Sequence, residues 1–317
     1  MTSKRFLFGV GGVVVVTLLA IVSTNYYLNL FGLFRSESSL RIWVDEKTSK
    51  YLMSFRYVPE NFEGAIIGPS VSTNMQTKNI EGFKIYNLSM NGGNISEIKY
   101  AIDNVLEKGN LKYLVVCVYP YLTKNSGIKG RQINKKEYWG SLYSLIPMRV
   151  AMAATAYQVF PRLDQFHDSE WGYNDSNLSK KHIVFENIIS RKIENHPKEI
   201  VVDPQAYNEL REVLDLARLK GVQIFAYYYP IYYEFIDVYR ASGAWDWYQE
   251  EMNGLFTKDD LLWDMNEPDY DYLTHNTRTY IDGHLSDWGA EQVVEVIETK
   301  LKSFESSRRI TEIRAAE

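Results

Sequence analysis

The longest apolar run of the chain lies at its N-terminus. No charged residue occurs from Phe6 to Phe34, and about 20 helical residues at ~1.5 Å each suffice to cross a hydrocarbon core of ~30 Å. The aromatic residues expected at the far interface are Tyr26, Tyr27 and Phe31. Residues 1–34 are therefore predicted to form a short N-terminal tip and an uncleaved transmembrane anchor, whose orientation the nearly balanced flanking charges do not decide. A signal peptide is the alternative, because Lys4 and Arg5 precede the run, although no clear small-x-small cleavage site follows it.

Beyond the anchor, short apolar runs without a polar face alternate with amphipathic stretches. The runs predicted to be strands are Ala65–Ile67, Lys84–Leu88, Tyr113–Tyr119, Val222–Tyr229 and Leu261–Met265. The stretches predicted to be helical are Leu40–Phe55, Glu97–Leu106, Lys136–Phe160, Gln205–Leu219 and Trp288–Leu301. Strands that alternate with helices imply right-handed crossovers and a parallel sheet covered on both faces. We therefore predict an α/β fold, a flavodoxin-like three-layer sandwich around a mostly parallel five-stranded sheet.

The same pattern predicts how the rest of the chain is divided. Residues 35–63 are expected to be a polar connector with one helix, residues 64–303 the α/β domain, and residues 304–317 a solvated tail. Between the third and fourth strands the chain makes an excursion, at about residues 123–203, that is too long for a simple crossover. Long insertions at the ligand end of a sheet often serve as lids or specificity elements.

The composition excludes several classes of protein. With 35 basic and 40 acidic side chains in 317 residues, the formal net charge is −5, so no nucleic-acid partner is predicted. The single cysteine, Cys117, can form neither an intramolecular disulfide nor a cysteine-based metal site, and a buried thiol is expected. His275, Asp282 and His284 lie close together, but no His-Glu-x-x-His helix or dense ligand cluster accompanies them. Neither a metal nor a cofactor is predicted.

The candidate chemistry lies at opposite ends of the domain. The turn that begins at Gly68 places Ser70 just past the carboxyl end of the first strand, where open α/β sheets bind ligands. A serine nucleophile needs an imidazole to take its proton and a carboxylate to orient that imidazole, so Ser70, His284 and Asp282 form a candidate triad. Extended backbone from Asp282 to His284 would direct both side chains to one site. The alternatives are a helix N-cap at Ser70 and a simple Asp-Gly-His turn.

A second loop offers backbone N–H groups near the same edge of the sheet. The predicted second strand ends in the sequence Ser89-Met90-Asn91-Gly92-Gly93-Asn94, and Asn94 or Ser96 can cap the helix that follows. A glycine turn before a helix exposes N–H groups where an oxyanion or another anion can lie. A tight connection that requires positive φ is an alternative compatible with that role.

Aromatic residues are unusually abundant. The chain has 24 tyrosines and 7 tryptophans, many of them in the insertion and between Tyr227 and Tyr248. Flat amphipathic rings suit the faces of sugars, but they serve equally well as core and interface residues. With that alternative open, the residues predicted to contact a substrate are Asn91, Tyr119, Tyr121, Trp171, Tyr229 and Trp288.

Taken together, these motifs resemble the SGNH (GDSL-type) hydrolase superfamily from about Phe31 to Leu301. The residues that carry the resemblance are Gly68-Pro69-Ser70, the strand end from Asn87 to Gly92, and Asp282-Gly283-His284. With Trp288, Gly289 and Ala290 after the histidine, the chain is similar to membrane-anchored members that modify bacterial cell envelopes and exopolysaccharides. Examples are the alginate O-acetylation proteins and the lipoteichoic-acid D-alanylation protein.

The chain also departs from the pattern of the superfamily. Gly68-Pro69-Ser70 stands where many members have Gly-Ser-Ser, and one residue instead of two separates Asp282 from His284. No Gly-x-Asn-Asp block follows the third strand, where Tyr119-Pro120-Tyr121 stands, so the usual asparagine oxyanion donor is missing. In the alginate proteins the Asp-x-His precedes the serine, whereas here it follows.

The resemblance implies acyl transfer through an acyl-serine intermediate. Ser70 would attack an ester carbonyl, His284 would take its proton, and Asp282 would orient the imidazole. The backbone N–H groups of Ser70 and Gly92, with Asn94 as a third donor, would hold the oxyanion. The acyl group would then pass to a sugar hydroxyl or to water. The chain would thus be an O-acetyltransferase or esterase that acts on a cell-envelope or exopolysaccharide glycan.

The resemblance also implies where the protein works and with what. It places the protein on a single-pass anchor in the bacterial cytoplasmic (inner) membrane, with the short N-terminal tip in the cytoplasm and the globular domain in the periplasm. A membrane-bound O-acyltransferase is the expected partner. One alternative is a non-catalytic SGNH-fold protein for polysaccharide binding or assembly. Another is a plain esterase that hydrolyses small esters without preference for polysaccharide acceptors.

Overall fold

A parallel sheet forms the centre of the structure, a computed structural model that describes residues 3–43, 45–124, 133, 135–160, 167–180 and 185–316. The strands are β1 (Gly64–Ile67), β2 (Ile85–Asn87), β3 (Tyr113–Val118), β4 (His167–Asp168), β5 (Tyr173–Asn174), β6 (Gln223–Tyr228), β7 (Leu261–Asp264), β8 (Tyr280–Ile281) and β9 (His284–Leu285). The central five-stranded sheet has the order β2-β1-β3-β6-β7, which is the doubly wound order of flavodoxin-like folds. The predicted α/β fold and parallel sheet are confirmed, and each predicted strand matches an observed strand to within one residue at either end.

Helices cover both faces of this sheet. The helices of the described residues, not all of which contact the sheet, are α1 (Ser3–Leu28), α2 (Glu46–Met53), α3 (Tyr57–Asn61), α4 (Ile95–Lys108), α5 (Glu137–Tyr143), α6 (Ile146–Val159), α7 (Ile189–Glu194), α8 (Pro204–Leu219), α9 (Tyr233–Ala241), α10 (Ala244–Asn253), α11 (Asp271–Thr274) and α12 (Asp287–Ala316). The Tyr228 hydroxyl donates to Asn253 Oδ1 of α10 at 2.8 Å, whereas the Phe225 ring lies 5.5 Å from that of Phe304 in α12. Since side chains alternate along a strand, α10 and α12 lie on opposite faces, and the architecture has three layers.

The strands owe their burial to their sequence. Every residue of β1 and β3 is buried, as expected for apolar runs in a sheet that is covered on both sides. β1 is paired on one side with β2 and on the other with β3. The chain therefore reverses its direction of winding at β1, and the carboxyl end of that strand is the place where such sheets bind ligands.

The segment predicted to be a connector is part of the core. Leu52, Met53 and Val58 of α2 and α3 are fully buried. The helix predicted from Leu40 to Phe55 is shorter than expected, because Asp45 caps it by accepting from the Thr48 N–H and hydroxyl. The domain thus includes residues before Gly64.

The predicted helix from Lys136 to Phe160 is wrong, since the chain forms α5 and α6 with a break between them. Pro147 explains the break. Proline lacks the N–H that a continuous helix needs and its ring clashes with the preceding helical turn, yet it fits the first turn of a new helix. The apolar spacing on either side of the proline predicted helical structure correctly but not its interruption.

The two ends of the chain are helical. The described part of the chain has one helix, α1, that is long and apolar enough to cross a membrane, with a mean hydropathy of 2.5. Its length and composition fit a membrane anchor and a signal sequence equally well. At the other end, α12 runs to Ala316, so the segment predicted to be a tail continues the last helix of the domain.

Candidate active site

Ser70 follows β1 at the switch point of the sheet. Gly68 and Pro69 turn the chain out of the strand, and Ser70 opens a short 3₁₀ turn that ends at Ser72. A Cβ on Gly68 would collide with the Ser72 hydroxyl and would lie 2.7 Å from Cys117 Cβ. Only glycine therefore allows the loop to pack so closely against β3.

Buried hydrogen bonds hold this nucleophile loop in place. Asn87, at the end of β2, is fully buried, and its Nδ2 donates to the carbonyl oxygens of Ser72, Thr73 and Met75 at 2.8, 3.3 and 3.2 Å. Its Oδ1 accepts from the Ser89 N–H at 3.0 Å. The side chains of Thr73 and Asn177 donate to the Ser70 carbonyl at 2.9 and 3.0 Å. Ser70 is thus the partly exposed end of a loop whose carbonyl groups are tied down by buried hydrogen bonds.

His284 lies on a two-residue β-hairpin. β8 and β9 pair through Ile281 and His284, and the intervening Asp282 and Gly283 have φ values of +50° and +83°. Positive φ at both central residues defines a type I′ turn, for which Asp-Gly is a preferred sequence. The predicted extended backbone between Asp282 and His284 is therefore wrong, and the alternative of an Asp-Gly-His turn describes the local structure.

Three contacts attach this turn to the rest of the domain. The Tyr229 hydroxyl donates to the Gly283 carbonyl at 3.2 Å, and burial raises the pKa of Tyr229 well above its usual value, which keeps the hydroxyl protonated. Asn74 Nδ2 donates to the Leu285 carbonyl at 2.9 Å. Asp282 Oδ1 pairs with Lys192 Nζ of α7 at 2.5 Å. Asn74 lies between Thr73 and Met75 of the nucleophile loop, so it ties that loop directly to β9.

The structure brings Ser70 and His284 into contact. Ser70 Oγ lies 3.0 Å from His284 Nε2, although the two residues are 214 positions apart. Both face a cavity of about 620 Å³ that Asp282 also lines. A hydroxyl within hydrogen-bonding distance of an imidazole nitrogen is the arrangement of a nucleophile and its general base.

Aromatic side chains form much of the cavity wall. Three of the residues predicted to contact a substrate, Tyr119, Tyr121 and Tyr229, line it together with Ser70. The rings of Tyr119 and Tyr229 meet edge to face, with centroids 5.1 Å apart. Burial raises the pKa of Tyr119 as well, so the wall is neutral on this side. It offers flat rings and hydroxyl groups to a ligand.

The other three predicted substrate contacts lie elsewhere. Asn91 donates through Nδ2 to Ser176 Oγ at 2.7 Å. Trp171 packs against Phe62, with ring centroids 5.3 Å apart. Trp288 lies under the Arg278 guanidinium, 5.0 Å from the centroid of the indole. None of Asn91, Trp171 and Trp288 lines the cavity that contains Ser70.

The predicted oxyanion donors other than Ser70 are not among the residues that line this cavity either. Asn94 caps α4 by accepting from the Ser96 N–H at 3.0 Å, and its Nδ2 donates to the Lys124 carbonyl at 2.6 Å. Gly92 has a φ of +59°, and its carbonyl accepts from Lys47 Nζ at 3.1 Å. Neither Gly92 nor Asn94 lines the cavity. The tight connection proposed as the alternative describes this loop.

The insertion supplies cavity residues that the sequence did not indicate. Arg191, Lys192 and His196 belong to or follow α7, and they line the same cavity as Ser70. The His196 ring stacks on Phe235, with centroids 4.9 Å apart. Burial is the main cause that lowers the pKa of His196, and the positive charge of Lys192 lowers it further. These residues stand in no recognisable motif, so only the fold of the insertion identifies them.

The described residues contain no group of three or more histidine, cysteine, aspartate or glutamate side chains that could hold a metal ion. Cys117 lies fully buried in β3, and burial raises the pKa of its thiol to about 12.

Comparison with known proteins adds little to this geometry. No protein-family model matches the sequence, and no curated protein matches it. A solved structure described as that of "a putative platelet activating factor from Streptococcus pneumonia" is similar to the chain, with a TM-score of 0.43 and 13% sequence identity over 81% of this chain and 91% of that one. Nothing about activity follows from a similarity of that size, and the function is inferred from the site.

Proposed function

We propose that this chain is a membrane-anchored serine acyl-transfer enzyme. The observation that carries the proposal is the 3.0 Å contact between Ser70 Oγ and His284 Nε2 at the mouth of a cavity large enough for a small ligand. A serine whose only role is to cap a helix does not require contact with a histidine from the far end of the chain. The type of reaction follows from this pair, since imidazole-activated serines attack carbonyl carbons.

The proposed reaction has two half-reactions. Ser70 Oγ attacks the carbonyl carbon of an ester while His284 Nε2 takes the hydroxyl proton, and the same proton then passes to the departing alkoxide. The acyl-serine that results is attacked by a sugar hydroxyl or by water, whose proton His284 takes and returns to Ser70. Asp282, two residues before His284, is assigned the role of orienting the imidazole.

Backbone N–H groups of the nucleophile loop are the proposed oxyanion donors. Ser70 and Val71 open the 3₁₀ turn and line the cavity, and among the described residues neither N–H has a hydrogen-bond acceptor. The first N–H groups of a helical turn point away from it and are available to an anion. This pair replaces the predicted Gly92 and Asn94, and each such donor typically contributes ~10² to 10³ in rate.

The proposed substrate is a glycan of the cell envelope or of an exopolysaccharide, which accepts the acyl group in a transferase reaction and carries it in an esterase reaction. The tyrosine-rich wall supports it, because planar amphipathic rings pack well on sugar faces. The apolar helix α1 is long enough for a single-pass anchor, and the proposed location of the domain, on the periplasmic side of the inner membrane, follows the resemblance described above. A membrane-bound O-acyltransferase that supplies the acyl group is the proposed partner.

Covalent labelling of the full-length protein tests the proposal. We expect a serine-directed fluorophosphonate to form one adduct, located at Ser70 by mass spectrometry. Ser70→Ala should abolish the adduct, and His284→Ala should slow its formation by at least ~10³, the usual effect of removing the base of a triad. Ser306→Ala, which removes an exposed hydroxyl of α12, should label like the wild type.

A second measurement separates the candidate activities. An acyltransferase should move the acyl group of p-nitrophenyl acetate to an added glycan faster than to water, whereas a plain esterase should release only acetate. If the folded protein forms no adduct and Ser70→Ala still binds polysaccharide like the wild type, the chain is a binding module and the proposal is wrong.

A further inference from the structure

Helices α5 and α6 are fastened to the end of the apolar helix α1. Asn25, near the C-terminal end of α1, is only 3% exposed, and its Nδ2 donates to the carbonyl oxygens of Leu142 and Ser144 at 3.0 Å each. These two carbonyls belong to the junction between α5 and α6. The junction therefore lies beside the C-terminal end of α1, where the apolar part of that helix ends and the globular domain begins.

The outward side of α6 is apolar. Leu145, just before the helix, and Met148, Met152 and Val159 within it are 53%, 42%, 64% and 61% exposed. We call these four residues the α6 outer face. Their spacing of three, four and seven residues places them on one side of a helix. A helix on a water-facing surface should carry polar residues there.

The opposite side of α6 is apolar as well. Val150 and Ala151 pack against the hydrophobic core, and Ala153 lines a small cavity beside Phe31. Arg149, the only charged residue in the sequence of α6, is exposed at the edge of the α6 outer face, and it also lines the small cavity that contains Asp45 and Glu137. A helix that is apolar on both sides is typical of a buried position or of a membrane.

Exposed aromatic residues surround the junction. Trp139 and Tyr143 of α5 are 60% and 54% exposed and stack on each other, with an interplanar angle of 7°. Tyr26 and Tyr27 are exposed at the end of α1. Tryptophan and tyrosine concentrate where hydrocarbon meets headgroups, because their rings are apolar and their N–H or O–H groups are polar.

We propose that the α6 outer face and the rings of α5 lie in the headgroup interface of the same bilayer that α1 enters. The inference rests on the part of the proposed function in which α1 remains an anchor. Lipid is the occupant that the structure favours, because the face is continuous with α1, whose apolar window is entirely uncovered, and because aromatic rings lie at the junction. Interfacial helices bind in this way, with an apolar face in the acyl boundary.

This contact would change the role of the insertion. A single helix leaves a domain free to tilt about its tether, whereas a second contact fixes its orientation. The insertion also supplies α7, which carries Lys192 and the cavity wall. The candidate active site would then be held at a constant distance from the membrane that contains the proposed acyl donor.

Fluorescence quenching in vesicles tests the proposal on the full-length protein. Met152→Cys and Val159→Cys would each carry an environment-sensitive fluorophore, since Cys117 is buried with a raised thiol pKa and should not react. Leu219→Cys, at an 81% exposed leucine of α8, is the matched control. The variants are reconstituted into phosphatidylethanolamine and phosphatidylglycerol vesicles, with a nitroxide on the lipid chains or a paramagnetic nickel complex in the water.

We expect lipid nitroxide to quench the label at positions 152 and 159 and the nickel complex to leave it bright, with the reverse pattern at position 219. Water-side quenching at position 152 equal to that at 219 would overturn the proposal. Protection from both quenchers would also overturn it, because protein would then cover the face.

Adding Met148→Glu and Met152→Glu to Val159→Cys should move the label from lipid to water, and unchanged lipid quenching would contradict the role of these side chains. Fluorophosphonate labelling of Ser70 on the same vesicles reports separately on the proposed chemistry.

Discussion

The two sides of the candidate active site are held in place in different ways. The Ser70 loop rests on a fully buried asparagine that bonds to three of its carbonyl groups. The His284 turn is a partly exposed two-residue hairpin, held by Tyr229, Asn74 and Lys192. The Ser70 loop is part of the buried core, whereas the His284 turn contributes little to stability and can change its position. Substitutions on the serine side should therefore reduce stability, and those on the histidine side should reduce activity.

Asn87→Ala should have the largest effect on stability. It removes the donor for three carbonyl groups and the acceptor for the Ser89 N–H, and each buried polar group left without a partner costs about 1–3 kcal/mol. We expect the free energy of unfolding, measured by urea titration, to fall by roughly 2–4 kcal/mol after partial relaxation. Asn110→Ala, at an exposed asparagine, should change it by less than about 0.5 kcal/mol. Equal effects of the two substitutions would contradict the structural role of Asn87.

Asp282→Asn should have the largest effect on activity without loss of stability. Asn-Gly suits a type I′ turn as well as Asp-Gly does, so the backbone should persist while the carboxylate charge disappears. Loss of the group that orients the histidine of a triad lowers kcat by as much as ~10⁴. We expect a decrease of at least ~10² in acyl-serine formation, with the free energy of unfolding unchanged within about 0.5 kcal/mol.

Lys192→Met is the control for that substitution, because it breaks the 2.5 Å ion pair with Asp282 but keeps the carboxylate. Its effect on acyl-serine formation should be clearly smaller than that of Asp282→Asn. If Asp282→Asn labels at the wild-type rate, Asp282 serves only the turn, and its assignment to the triad is wrong.

Tyr229→Phe should have an intermediate effect. It removes the hydrogen bond to the Gly283 carbonyl, worth about 0.5–1.5 kcal/mol, and frees the turn that carries His284. We expect Ser70 labelling to slow by roughly tenfold, as small displacements of catalytic groups typically do. Tyr228→Phe is a close control, since that hydroxyl bonds to α10 on the other side of the sheet. It should cost similar stability and leave labelling unchanged, and equal labelling rates in both variants would show that Tyr229 does not position His284.

The sequence predicted the framework well because strands and crossovers leave local patterns. Apolar runs such as Tyr113–Val118 predicted the parallel sheet, and Gly68-Pro69 predicted the loop that ends at Ser70. The Ser70 and His284 pairing was a hypothesis from chemistry alone, and no local pattern distinguishes it from a capped helix and a turn. The sequence did not indicate Lys192 and His196, because the residues that lie next to them in space depend on how the insertion folds, and this leaves no local pattern. Asn94 caps α4 and does not line the cavity, and the sequence could not distinguish the two roles because helix capping and anion binding use the same residue types.

The smallest predicted effect concerns pH and the cavity wall. Burial, followed by the charge of Lys192, lowers the pKa of His196, so the folded state disfavours the imidazolium. As pH falls below the ordinary histidine pKa of ~6.5, the unfolded chain takes up a proton that the folded chain does not, and the free energy of unfolding decreases through that window. His196→Phe keeps the stacking on Phe235 but cannot bind a proton, so its stability should decline less steeply between about pH 7 and pH 5. Urea titrations of both proteins at several pH values measure this difference, in which all other titrating groups cancel. Parallel curves would mean that His196 is solvated in the folded protein and that α7 does not close the cavity wall around it.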